Sequence, residues 1–225
     1  MDIDEYFKTL SEYLDRVYSI ASDARKKGYD PETFVEIKPA PDLASRVEGI
    51  IGLDGIADVI RSKSAKTRQE LAFEMVREIC TNNKFNMQIE NRLTLAIRIG
   101  LTVLTEGILV APTEGFQKAV IHKSLDGSDY LAVLYAGPIR GAGGTGAALS
   151  VALADLARKI MNIGEYKAQK VETERYIEEI LLYHSRIARL QYLPSEADMR
   201  TIIENCPVCV DGLPTEDLES FSWRN

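Results

Sequence analysis

The chain has 225 residues, of which 45% are apolar and 27% charged, with a formal net charge of −7. That balance belongs to an ordinary folded protein with a sizeable core, built as one large domain or two small ones. No window approaches the roughly 18 uncharged apolar residues of a helical membrane span, and the acidic stretch Met1 to Glu5 is unlike a basic secretory leader.

The acidity is concentrated early. Residues 1–60 hold 13 acidic and 7 basic side chains, whereas residues 61–225 hold 21 and 20. An acidic arm avoids DNA and suits a basic partner surface. Three cysteines without disulfide spacing point to a reducing, cytoplasmic setting.

In chain order, Asp4 to Lys27 places Tyr6, Leu10, Tyr13, Leu14, Val17, Ile20, Ala21 and Ala24 at spacings of three and four. Those spacings predict one amphipathic helix, and Arg25, Lys26, Lys27 and Gly28 form a fitting end. Its apolar stripe reads as a docking face. Gly28 to Asp42 contains Pro31, Pro39 and Pro41 and reads as an extended linker. This divides the chain into an assembly arm, residues 1–40, and a mainly helical domain, residues 41–225. Two short helices are expected from Leu43, broken near Gly52 to Gly55. Thr67 to Ile79 is amphipathic, and Ile89 to Leu109 predicts a longer, more buried helix ending at Ala111-Pro112.

Phe116 to His122 and Tyr130 to Tyr135, separated by turn chemistry at Asp126 to Asp129, predict a β-hairpin. A glycine-rich segment, Tyr135 to Gly146, leads into a helix from about Gly144 to Met161. Further helices are expected over Glu172 to Leu190, with Ile177, Ile180, Leu181, His184, Ile187 and Leu190 buried, and from Pro194 through Ile203 with Ser195 as N-cap. The fold class is therefore α+β, mostly α with a small antiparallel hairpin or sheet.

The glycine segment invites a nucleotide reading, because Gly141, Gly143 and Gly146 have the spacing of a dinucleotide fingerprint. That site needs its first glycine at the strand end and an acidic residue closing a second strand about 20 residues on. Here Gly137 to Arg140 intervene, Pro138 fixes a bend, and the helical pattern continues where the second strand belongs. No Gly-Lys-Ser/Thr follows, so a Walker loop is excluded as well. Two readings stay open. One is a structural loop in which glycines let a helix start pack under a strand. The other is a phosphate site made from Gly141, Gly143, Gly144 and a helix N-terminus, with Arg140 beside them. Basic residues Arg158, Lys159, Lys167, Lys170 and Arg175 follow and could add DNA backbone contacts, Lys159 first among them.

Cys206 and Cys209 have the spacing of half a zinc knuckle or a redox dithiol, although a turn with buried thiols satisfies the same pattern. His184 reads as a core histidine, and His122 as a strand end that could meet phosphate. The acidic pairs Asp2/Asp4, Glu174/Glu178 and Glu178/Glu179 read as solvated faces. No catalytic residue is expected, because a two-metal site needs carboxylates held on rigid neighbouring elements.

Tyr135 to Thr145, Val47 to Gly52, Leu104 to Gly107, Ala111 to Gly115 and Glu204 to Cys209 together resemble, in order, the N-terminal region of the large subunit of archaeal D-family DNA polymerases. The resemblance implies a replicative polymerase paired with a smaller 3′–5′ exonuclease subunit as a heterodimer or heterotetramer. It also implies catalytic aspartates and Mg2+ in domains far downstream, zinc elsewhere in the subunit, and an N-terminal region serving assembly and DNA contact. On that likeness the first helix docks on another part of the enzyme. After Pro214 to Leu218 the family continues, whereas Glu219 to Asn225 departs from it; the chain is expected to be a fragment or a truncated or frameshifted product.

Overall fold

A computed structural model describes residues 2–30, 40–63, 67–82, 84–137, 139 and 143–213. The chain divides into two units, Met1–Ala40 and Pro41–Asn225.

The first unit is one helix, α1 (Ile3–Lys26), with Asp4 and Glu5 in its first turn and Arg25 and Lys26 in its last. Those charges complement the helix dipole. None of its residues is buried, and Tyr6, Leu10, Tyr13, Leu14, Val17 and Ile20 are all exposed. Arg25 pairs with Asp30 at 3.2 Å just past the helix end. The expected linker falls largely on residues 31–39, outside the described residues.

The second unit begins with α2 (Leu43–Ile51) and α3 (Ile56–Arg61). Asp42 caps α2 by accepting the Ser45 N–H at 2.7 Å. Glu48 reaches across the break to accept the N–H groups of Gly55 and Ala57 at 2.8 and 2.9 Å, satisfying the open start of α3. Next come α4 (Arg68–Thr81) and α5 (Ile89–Leu104). Thr67 and Glu70 form a reciprocal capping box at the start of α4. The helix expected to reach Leu109 stops at Leu104, because Glu106 and Gly107 both take positive φ. A short α6 (Val110–Gly115) follows. Pro112 lies in its first turn, where the missing N–H costs nothing, so it does not act as the expected terminator.

The hairpin is present as β1 (Phe116–Lys123) and β2 (Asp129–Tyr135), antiparallel, with an irregularity between Phe116 and Lys118. After it run α7 (Gly143–Ile160), α8 (Lys170–Arg186) and α9 (Glu196–Asn205). The N-cap expected at Ser195 accepts the Asp198 N–H at 3.1 Å. The last element corrects the sequence reading. β3 (Cys209–Gly212) pairs with β2 in parallel, so the sheet is mixed, in the order β1-β2-β3. The long helical connection between β2 and β3 is what a parallel pairing requires. Helix α8 also ends earlier than expected. His184 Nδ1 accepts the Leu190 N–H at 3.0 Å, which turns the chain and leaves Ile187 72% exposed instead of buried.

The main core lies between α2 to α5, α7 and the inner face of the sheet, where Leu131, Val133, Phe116 and Ala119 meet Met75, Leu93, Ile97 and Leu153. Gly100 sits where α5 meets α4 and α7. A Cβ there would lie 2.8 Å from Leu153 and 3.2 Å from Val76, so the glycine sets how closely these helices pack.

One side of α5 does different work. Glu90 accepts the Ile121 N–H at 2.7 Å, Thr94 accepts the Ala119 N–H at 2.9 Å, and Arg98 donates to the Gln117 carbonyl at 2.9 Å. Side chains four apart on a helix therefore satisfy backbone groups two apart along the outer edge of β1. Among the described residues no helix is long and apolar enough to cross a membrane.

Candidate nucleic-acid interface

The end of β2 is fastened on several sides. The Leu213 N–H donates to the Tyr135 carbonyl at 2.8 Å, and the Ala136 N–H donates to the Gly115 carbonyl at 2.8 Å. The Tyr135 hydroxyl and Ser150 Oγ lie 2.5 Å apart in the interior, linking β2 to α7. At Gly115 a Cβ would fall 2.6 Å from both N and Cα of Ile139, so backbone lies directly on backbone. Beside this junction lies a mostly apolar groove of about 480 Å³, lined in part by Tyr135, Ile139, Ala147, Val151 and Val210.

Of the residues expected to hold phosphate, Arg140 and Gly141 lie outside the described residues. Gly143 and Gly144 open the first turn of α7, and a Cβ at Gly144 or Gly137 would meet nothing within 4 Å. Lys159 is not brought to this turn. It lies at the far end of α7, about 24 Å along the axis at the usual rise per residue, and is paired with Asp155 at 2.7 Å.

The other basic residues separate into two groups. Arg158 is buried and pairs with Asp155 at 2.7 Å and Glu165 at 3.0 Å, while also donating to the Ile163 carbonyl. It is therefore a structural cation that ties the end of α7 to the segment that follows. Arg175 pairs with Glu179 at 3.4 Å and lies over the Tyr176 ring. Lys167 and Lys170 are exposed.

Cys206 and Cys209 do not sit in one free turn. Cys209 begins β3, opposite Ala132, and its thiol is pushed up to about 12 by burial, with Asp211 adding to the shift. A thiol held protonated is a poor nucleophile. Cys206 donates to the Val208 carbonyl at 3.2 Å. Among the described residues no three His, Cys, Asp or Glu side chains gather as a metal-holding group. The acidic pair Glu174/Glu178 lies on α8, where Glu174 is held by Arg200.

The outer face of the sheet was not singled out by sequence reasoning. Tyr130 and Tyr166 come from different segments and carry no shared motif. Tyr166, which is 9% exposed, packs with Ala132 and Cys209, and its ring lies 5.2 Å from that of Tyr130. The Tyr130 ring is in turn 5.9 Å from His122, its partner across the hairpin. Burial first, then the nearby Cys209, Glu172 and Asp211, pushes the Tyr130 hydroxyl up to about 12, so it stays neutral. The only sequence signal was His122, noted as a strand end able to meet phosphate.

The family model described as "DNA polymerase II large subunit DP2, N-terminal" matches residues 5–225. The chain is similar to the DNA polymerase II large subunit of Methanococcoides burtonii, at 47% identity over 227 residues, covering 100% of this chain and 20% of that protein. It is 46% identical over 226 residues to the one from Thermoplasma volcanium, again covering 100% and 20%. For the one from Archaeoglobus fulgidus the figures are 42% over 226 residues, with 100% and 19% covered. The chain thus spans about a fifth of the length of these curated relatives.

Proposed function

Because the chain belongs to the family of the N-terminal region of the DNA polymerase II large subunit DP2, we propose that it acts as a non-catalytic part of a replicative, archaeal D-family polymerase. Its work is assembly and contact with the DNA backbone. The observation that carries this reading is the family match across residues 5–225. Template-directed synthesis, with its Mg2+ ions, belongs on this reading to the rest of the large subunit, and proofreading to a small 3′–5′ exonuclease subunit.

Two local features support the division of labour. The apolar stripe of α1 is exposed along the helix, and the charges beside it are polarised. Asp4, Glu5, Lys8 and Glu12 give the first half a net charge of −2, whereas Asp15, Arg16, Asp23, Arg25 and Lys26 give the second half +1, with Lys27 just past its end. A partner surface with an apolar groove and the opposite charge gradient fits that helix. At the glycine segment, the open space around Gly137 and Gly144 leaves backbone free for close approach, and Arg140 supplies the cation.

DNA contact is tested by fluorescence anisotropy on duplex and primer–template at rising salt. Arg140→Ala should weaken binding across sequences and lower the slope of log affinity against log salt by about one. An unchanged slope, or no binding at low salt, removes the DNA half of the reading. Assembly is tested by Leu10→Asp with Val17→Asp, which should abolish capture by the small subunit and by the remainder of the large subunit. Undiminished capture removes the assembly half.

A further inference from the structure

We propose that α1 pairs with the α1 of a second copy of this chain, the two helices running antiparallel with their ends aligned. The inference rests on the assembly half of the reading above and names a partner for the exposed stripe. Ile3, Leu10, Val17 and Ala24 stand seven residues apart, and Tyr6, Tyr13 and Ile20 each follow three residues after one of them. An apolar repeat of this kind, held over about three heptads, is the pattern of a two-helix seam. The helix is about 36 Å long at the usual rise per residue, and none of its residues is buried. Ile3 is 67% exposed and even Leu10, in the middle of the seam, is 43% exposed. Packing supplies most of the stability of helices in proteins, so a seam of this length calls for a partner along all of it.

Side-chain size sets the direction. In the aligned antiparallel pair, Tyr6 of one copy lies level with Ala24 of the other, Tyr13 with Val17, and Leu10 with Ile20. The two-fold axis repeats each of these layers. Every tyrosine then meets a smaller side chain, the alternation that fills a seam without voids. A parallel pair would set Tyr6 on Tyr6 and Tyr13 on Tyr13, and would leave Ala24 facing Ala24 across a gap.

Charge points the same way. With the first half of α1 at −2 and the second at +1, a reversed copy presents the opposite gradient. Asp4 and Glu5 come level with Lys26 and Arg25, and Lys8 comes close to the level of Asp23. Arg25 is already held by Asp30, and the pair between Lys26 and Asp23 joins two solvated side chains. Such exposed charges add little affinity but select orientation, because parallel helices would bring like ends together. Phe7 and Leu14 flank the seam and stay exposed, which leaves an apolar edge for the other subunits.

The experiment is sedimentation velocity on the whole chain across a dilution series, with circular dichroism as the check on folding. Every core residue among the described ones lies outside α1, so substitutions in this helix leave the core intact. The parent should pass from dimer to monomer on dilution, and Leu10→Asp with Val17→Asp should be monomeric throughout. Ala24→Tyr sets ring against ring in the antiparallel layer and should weaken the dimer at least about 5-fold. Adding Tyr6→Ala to that variant exchanges the two sizes and should recover most of the loss. A parent that is monomeric at every concentration overturns the inference, as does self-association that survives the paired aspartates. Failure of Tyr6→Ala to rescue Ala24→Tyr overturns the antiparallel arrangement. A monomeric parent that still captures the small subunit sinks this inference and leaves the assembly half of the proposed function standing. A dimer that behaves as described but captures no other subunit supports this inference and removes that half.

Discussion

Asp42 joins three local interactions in one carboxylate. It caps α2, and it accepts from Arg61 Nε at 3.0 Å and from a second Arg61 nitrogen at 3.1 Å. The Arg61 guanidinium, aided by the Ser45 N–H, holds its carboxyl well below the usual carboxylate range. A carboxyl lowered in the folded state stabilises above its unfolded value of about 4 and loses that contribution as the pH falls further. Asp42→Asn keeps an acceptor for the cap but loses the charge. Its urea midpoint should lie below the parent's at pH 7, with the gap closing as the pH drops from about 4 towards 2. A gap constant across that range would show that Arg61 does not matter. Arg158 teaches the complementary lesson. Composition alone counted it with the DNA-facing cations, whereas burial and two acidic partners make it part of the frame.

At the scale of elements, α5 is the informative helix. Thr94→Val keeps the volume and removes the acceptor that the Ala119 N–H uses, leaving a buried donor unmet at about 1–3 kcal/mol. The urea midpoint should fall accordingly, and amide exchange at Ala119 should speed up more than at Val133 in the central strand. Thr94→Ser should behave as the parent; equal exchange in the Val variant would show that water serves the strand edge instead. Most elements were legible because their signals are local: the 3.6-residue periodicity of α4 and α7, the turn residues of the hairpin, the Ser195 cap. What stayed hidden depends on distant partners. Cys209 to Gly212 becomes a strand only because β2 offers an edge, and four residues starting at a Cys-x-x-Cys pattern carry no periodicity of their own. At the early stop of α8 the Ile187 and Ala188 N–H groups both donate to the Tyr183 carbonyl, and His184 takes the Leu190 N–H across the turn. In the candidate site, the Gly143 and Gly144 turn was readable from spacing. The row His122, Tyr130 and Tyr166 was not, because three separate segments supply it.

For the molecule as a whole, every core residue among the described ones lies at Ala44 or beyond. Removing residues 1–40 should therefore leave the unfolding transition cooperative and within about 2 °C of the parent, a shift of no more than about 1 kcal/mol for a chain of this size. The same deletion removes nine acidic and six basic side chains, so duplex affinity at low salt should hold or rise while capture by the other subunits is lost. Calorimetry and anisotropy on the shortened chain check the two halves separately. A broad, non-cooperative transition would mean that the arm is part of the folding unit.

The three side chains that α5 sets against β1 also bear on how the chain comes to be folded. Strand β1 carries a consecutive apolar run, Ala119 to Ile121, and an edge that, unpaired, is a template for aggregation. A chain that closed its hairpin first would present that edge to every neighbour until Glu90, Thr94 and Arg98 arrived. Synthesis from the N-terminus reverses the order of risk, because residues 89–104 leave the ribosome before residues 116–123. The helix that shields the strand is thus already made when the strand emerges, and refolding from denaturant, which lacks that sequence of events, is where aggregates of this protein should form.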